Sequence, residues 1–131
     1  MSANPYRGEV AVTLDGQEYT LRPTFAAMVE IERGTGMGFP ELTARMLTGK
    51  YTVEQLAAVL AAGLNAARDP KAPPYKLADV GELMFKTGIS NPAMIESIGA
   101  FLGACANGGV SSDGAPGEAK APGGKGSRTG A

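Results

Sequence analysis

The residues that could carry chemistry in this chain are few. Its 131 residues include no histidine and a single cysteine, Cys105. Without an imidazole, the Ser-His-Asp and Cys-His mechanisms, the common zinc sites and the usual proton shuttle near neutral pH lack their central residue. Cys105 lies among apolar residues, which indicates a buried and inert thiol. We therefore predict that the protein is not an enzyme and binds no cofactor or metal ion.

A glycine-rich stretch, "GTGMG" at residues 34–38, could cradle a phosphate. A dinucleotide site needs G-x-G-x-x-G after a strand and at the start of a helix, so that the helix amides reach the pyrophosphate. Here the spacing is G-x-G-x-G, the stretch follows a predicted helix, and no P-loop lysine comes after it. We interpret the stretch as a joint, in which Gly34 ends one helix and Pro40 lies in the first turn of the next.

Two groups of carboxylates remain as candidates for chemistry. Asp79 and Glu82 are three residues apart, but an N-cap and an acidic first turn of a helix explain them. Glu32 falls within the apolar arc of its predicted helix, where a carboxylate needs a donor. We expect Glu32 to be partly buried and to accept hydrogen bonds from an arginine, with Arg45 favoured, or from amides of the glycine joint.

The charge balance argues against large anionic partners. Twelve Lys and Arg residues face thirteen Asp and Glu residues without a long run of one sign, so the chain offers no field that would attract nucleic acid or an anionic membrane. No segment approaches the roughly 18 apolar residues that span a membrane. We expect neither a nucleic-acid partner nor a membrane partner.

Residues 8–22 predict a β-hairpin. Apolar and polar residues alternate on both sides of Asp15-Gly16, a dipeptide that suits a two-residue type I′ turn. In this register Val10 faces Leu21, and one side of the hairpin is apolar. Two strands alone are only marginally stable, so helices or a second copy of the chain must cover that side, which leaves a homo-oligomer open.

The rest of the chain predicts five short helices, each with its own start signal. Thr24, the Thr52 and Gln55 capping box, and Asn91 before Pro92 mark three helix starts. The predicted helical segments are 24–34, 39–49, 52–68, 79–88 and 90–106, with a proline-rich loop at 69–76.

The fold class is therefore α+β, in a single domain. The domain covers residues 1–106, with the hairpin at 8–22 and the helical part at 24–106. Residues 107–131 are rich in Gly, Ala, Ser and charged residues and cannot bury enough apolar surface to offset the entropy of ordering. We predict a disordered C-terminal tail there.

The order of these elements resembles the phage tail-assembly family associated with gene transfer agents and long-tailed phages. The resemblance covers residues 8–67 well and the fifth helix loosely. It is carried by Gly8, Glu9, Val10, Ala11, Asp15, Gly16, Leu21, Thr24, Glu30, Glu32, Leu42, Arg45, Gly49, Ala62, Gly63 and Leu64. The glycine content of the joint and the loop at 69–76 depart from the family pattern.

The resemblance implies a non-enzymatic role in building a phage tail. Its first implication is an assembly chaperone that binds the tape-measure protein and recruits tail-tube subunits in the host cytoplasm. The alternative that it leaves open is a structural tail component, a tail-tube or minor tail protein retained in the virion. A small DNA-binding regulator is a weaker alternative, because the third helix offers only Arg68 to reach a phosphate.

Three apolar residues are candidates for contacting a partner. Phe85 is rotated away from the apolar stripe of the fourth helix, as an anchor residue would be. The fifth helix carries an apolar arc wider than one packing seam requires, with Met94 and Phe101 along one edge. We expect Phe85, Met94 and Phe101 to form one surface, unless a neighbouring helix or a second subunit covers them.

Overall fold

A computed structural model describes residues 3, 4 and 7–110, and it confirms the predicted α+β fold class, with a hairpin followed by five helices. The strands and helices are β1 (Val10–Leu14), β2 (Gln17–Leu21), α1 (Phe25–Thr35), α2 (Phe39–Leu47), α3 (Val53–Ala67), α4 (Leu77–Thr87) and α5 (Pro92–Ala106).

The hairpin has the register that its sequence predicts. Val10 pairs with Leu21 and Leu14 with Gln17 in an antiparallel ladder. Asp15 and Gly16 both have positive φ angles, 51° and 82°, as a type I′ turn requires. At the open end, a Glu9 carboxylate oxygen lies 3.8 Å from Arg22 Nε.

Helices of the same chain cover the apolar side of the hairpin, so this cover does not require a second copy. Helix α3 packs against β2, α1 and α4, while α5 packs against β1. Gly63 allows the close approach of α3, because a Cβ built there would lie 3.0 Å from both Leu21 Cδ2 and Phe101 Cζ. The largest fully buried side chains are Phe101, Leu14, Leu21, Ile31, Leu42, Leu56, Leu60, Leu64, Met84, Met94, Val12 and Val59.

Three of the predicted helix caps are confirmed. Thr24 Oγ1 accepts a hydrogen bond from the Ala27 amide at 3.0 Å. Thr52 and Gln55 form both hydrogen bonds of the capping box. Asn91 Oδ1 accepts from the amide at position 94 at 3.0 Å, and Pro92 begins α5.

Two predicted helix ends are wrong. Gly34 lies inside α1, where it lets α3 approach so closely that a Cβ at Gly34 would lie 3.0 Å from Ala58 Cβ. The C-cap is Gly36, with a φ of 73°. Helix α4 begins at Leu77, two residues before the predicted cap Asp79, and has no side-chain cap.

The early start of α4 follows from the way the preceding loop is held. The Asn65 side chain donates to the Tyr75 carbonyl at 3.1 Å and accepts from the Tyr75 amide at 2.7 Å. These two hydrogen bonds engage both backbone groups of Tyr75, as a partner strand would, and they hold the end of the proline-rich loop against α3. The chain can therefore enter α4 directly after Tyr75.

A turn follows the end of α5. After α5 ends at Ala106, the Gly109 amide donates to the Ala104 carbonyl at 2.8 Å. A Cβ at Gly8 would collide with the Gly109 carbonyl oxygen, so this turn packs against the start of the hairpin. This turn contains the first residues of the predicted tail, and residues 111–131 of that tail lie outside the described residues.

Candidate interaction surfaces

The glycine joint between α1 and α2 is closed by the carboxylate of Glu32. Glu32 Oε2 accepts a hydrogen bond from the Phe39 amide at 2.8 Å. The N-cap of α2 is Gly38, which has no side chain to satisfy that amide. Phe39 is the first residue of α2, so its amide has no acceptor within the helix. Glu32 supplies that acceptor from α1, and its negative charge lies at the favourable end of α2.

Two expectations about Glu32 need correction. Its side chain is exposed rather than partly buried, because it reaches over the joint and not into the core. Arg45 is not its partner, since Arg45 Nη2 lies 3.3 Å from Glu41 Oε2, four residues earlier on α2. The expected bond from an amide is confirmed, although the donor is Phe39, the residue just after the glycines.

Met94 and Phe101 do not belong to an accessible surface. Their exposed fractions are 1% and 0%. The wide apolar arc of α5 is buried because the helix lies against β1 on one side while Phe101 reaches Gly63 of α3 on another. The prediction that these two residues continue a surface from Phe85 is wrong for the described structure, and the covering elements belong to the same chain.

Phe85 is exposed, as its position off the apolar stripe predicts. Its exposed fraction is 73%, whereas Val80 and Met84 on the opposite side of α4 are fully buried. Leu77, eight residues earlier at the start of α4, is 42% exposed. Glu82 and Lys86 carry opposite charges beside the ring. Phe85 is therefore the accessible member of the three candidates.

A groove that the sequence patterns do not predict lies at the other end of the hairpin. It has a volume of about 210 Å³, and the residues that line it are Pro23, Thr24, Phe25, Met28, Cys105, Gly108 and Gly109. The ring of Phe25 is 81% exposed at its rim. Since α1 begins directly after the cap at Thr24, its first residue projects beyond the core, and this is the sequence feature that could have indicated the groove.

The thiol in this groove is poorly suited to chemistry. Cys105 is a free cysteine with an exposed fraction of 5%. Burial raises the pKa of the Cys105 thiol to about 11. A thiolate, the reactive form, is therefore rare at neutral pH. The groove is better suited to contact with an apolar group than to nucleophilic attack.

The described residues contain no group of three or more His, Cys, Asp or Glu side chains that could hold a metal ion. Within the same part of the chain, no helix combines the length and the apolar character needed to cross a membrane.

Comparison with known proteins assigns the family. A family model described as "Phage tail tube protein, GTA-gp10" matches residues 7–88, which extend from the start of the hairpin through α4. No curated protein and no solved structure matches the chain. The match covers well over half of the sequence and confirms the resemblance to a tail family of the gene-transfer-agent type. The chain belongs to the phage tail tube protein family of the GTA-gp10 type.

Proposed function

We propose that this protein is a structural component of a phage-type tail, part of the tail tube or in contact with it, and that it is retained in the finished particle. The family match carries this proposal, because its description names a tail tube protein and it includes the hairpin and four of the five helices. The partners are then other tail proteins and further copies of this chain. Assembly takes place in the host cytoplasm and the product is a part of the virion.

An assembly chaperone remains the second candidate, and the exposure of Phe85 favours it. A tape-measure protein is, by the resemblance, a long and apolar helical chain before assembly. An exposed aromatic ring on a helix can anchor such a segment in the way that helix-in-groove complexes use apolar side chains. In this case the protein binds the tape-measure protein, recruits tail-tube subunits to it, and leaves before the particle is complete.

Purified particles separate the two candidates. We would purify intact tails or particles and measure the number of copies of this protein by quantitative mass spectrometry, with the assembling cell lysate as the reference. A structural component remains in the particles at a fixed copy number relative to the tape-measure protein. A chaperone is present in the lysate and depleted from the particles, and that result would overturn the structural proposal.

A further inference from the structure

We propose that copies of this chain assemble head to tail, with Phe85 of one copy inserted into the groove formed by Pro23, Phe25, Met28 and Cys105 of the next. The proposal rests on the proposed structural function, because a tail built from many copies needs a contact that repeats.

The ring and the groove lie at opposite ends of the hairpin. Thr87, two residues after Phe85, accepts a hydrogen bond from the Asp15 amide at 2.8 Å through its Oγ1, which places the end of α4 against the hairpin turn. The groove lies at the open end, where Pro23 follows β2 and Gly109 packs on Gly8. Strands of this length separate the two ends by about 15 Å, at roughly 3.4 Å per residue. One copy therefore cannot fill its own groove with its own Phe85.

The groove suits a phenyl ring in size and in chemistry. Its volume of about 210 Å³ exceeds the roughly 150 Å³ of an apolar cavity that accommodates benzene. Among the residues that the structure describes, those that line the groove carry no charge. The Phe25 ring at the rim and the Met28 thioether offer the aromatic and sulfur contacts that aromatic side chains favour. Glu82 and Lys86 beside Phe85 would stay at the edge of the contact, where water can solvate both charges.

A contact between two different surfaces has a fixed polarity. Each copy presents one ring and one groove, so every added copy leaves a free ring at one end and a free groove at the other. Such heterologous contacts produce closed rings when the rotation closes, and filaments when it does not. A symmetric dimer through two Phe85 rings would stop at two copies, and the groove would then have no role.

Two variants with complementary defects test this arrangement. Phe85→Ser removes the ring and Phe25→Glu places a charge at the groove rim. Both native side chains are exposed, so neither change empties the core, and a glutamate is favourable in the first turn of a helix. Self-association of the full chain would be measured by sedimentation velocity over a range of concentrations. We expect each variant alone to associate at least tenfold more weakly than the wild type, as loss of a central aromatic contact predicts.

Mixing the variants gives the result that only a head-to-tail contact predicts. The intact groove of Phe85→Ser can accept the intact ring of Phe25→Glu, so the mixture should form 1:1 dimers that do not grow further. Leu47→Ser is the matched control. Leu47 is 89% exposed on α2 and lies outside both surfaces, so this variant should associate like the wild type. Circular dichroism would confirm that all three variants are folded.

Several outcomes would overturn the proposal. A wild-type chain that stays monomeric at its highest soluble concentration excludes the contact, and so does a mixture that forms no dimers. Self-association of Phe25→Glu at wild-type strength would indicate a symmetric Phe85 contact. These results are independent of the copy number in particles. A protein that is retained in particles but lacks this contact would refute the head-to-tail contact and leave the proposed function unaffected.

Discussion

Replacing Glu32 tests whether a carboxylate from α1 caps α2. The Phe39 amide at the start of α2 has Glu32 Oε2 as its acceptor at 2.8 Å, and the N-cap Gly38 offers no side-chain alternative. Loss of an N-cap acceptor costs about 1 kcal/mol, within a range of roughly 0.5–2. Because the carboxylate is exposed and water can partly replace it, we expect Glu32→Ala to lower the free energy of unfolding by about 1 kcal/mol. For a domain of this size, that loss corresponds to a fall of roughly 4–8 °C in the midpoint temperature of thermal unfolding.

Glu32→Gln should cost about half as much, since the amide oxygen can still accept the bond while the favourable charge at the helix end is lost. Glu30→Ala is the matched control. It makes the same substitution on the same helix and removes only the exposed ion pair with Arg33, at 3.1 Å, which contributes little. Denaturant unfolding would give the free energies, and hydrogen exchange of the Phe39 amide would report the bond directly. If Glu32→Ala and Glu30→Ala gave equal stabilities and left that exchange rate unchanged, the capping argument would be refuted.

Two further predictions concern the core. Gly63→Ala should destabilise the protein by about 1 kcal/mol, because overpacking against Leu21 and Phe101 at 3.0 Å outweighs the gain in helix propensity. Gly99→Ala on α5 should stabilise it by about 1 kcal/mol, because a Cβ there has nothing within 4 Å. Thermal unfolding of both variants would show whether the two changes in stability have opposite signs. The free energy of unfolding should also fall between pH 9 and pH 11, because the Cys105 thiol ionises near its ordinary pKa of 9.0 in the unfolded chain, whereas burial raises its pKa to about 11 in the folded chain. The loss reaches at most about 2.7 kcal/mol, and Cys105→Ala should remove this part of the pH dependence of stability.

The local signals in the sequence predicted much of the fold because they depend on neighbouring residues. The Asp15-Gly16 turn set the register of the hairpin, and the caps at Thr24, Thr52 and Asn91 set three helix starts. In each case the interacting residues are only a few positions apart, so the local sequence includes both partners of the interaction. Where a tertiary contact intervened, the prediction was wrong.

The misplaced helix ends illustrate that difference. A glycine near the end of a helix usually predicts a C-cap, and Gly34 fits that pattern. Its actual role is to let α3 approach, which depends on Ala58, a residue 24 positions later in the chain. Likewise, Asp79 resembles an N-cap, but the bonds from Asn65 to Tyr75 start α4 two residues earlier. Neither contact can be identified without knowing which helices are neighbours.

The same reasoning explains why one partner candidate is exposed and two are buried. Phe85 points away from the apolar stripe of α4, so any packing that buries Val80 and Met84 leaves it outside. For α5, a wide apolar arc is compatible with a binding surface or with burial on two sides, and periodicity cannot separate these cases. In the structure α5 packs against β1, and its Phe101 reaches Gly63 of α3.

The proposed head-to-tail contact gives a partner to two phenylalanines that are exposed at opposite ends of the hairpin. Neither ring belongs to the core, since Phe25 and Phe85 are 81% and 73% exposed. A polar residue at either position would keep the fold and improve solubility, so their apolar character is a cost to the isolated chain. A contact with a partner at either end offsets the cost of exposing the ring at that end. In a head-to-tail array every interior copy covers both, because its Phe85 fills one neighbour's groove while its own Phe25 contacts the ring of the other.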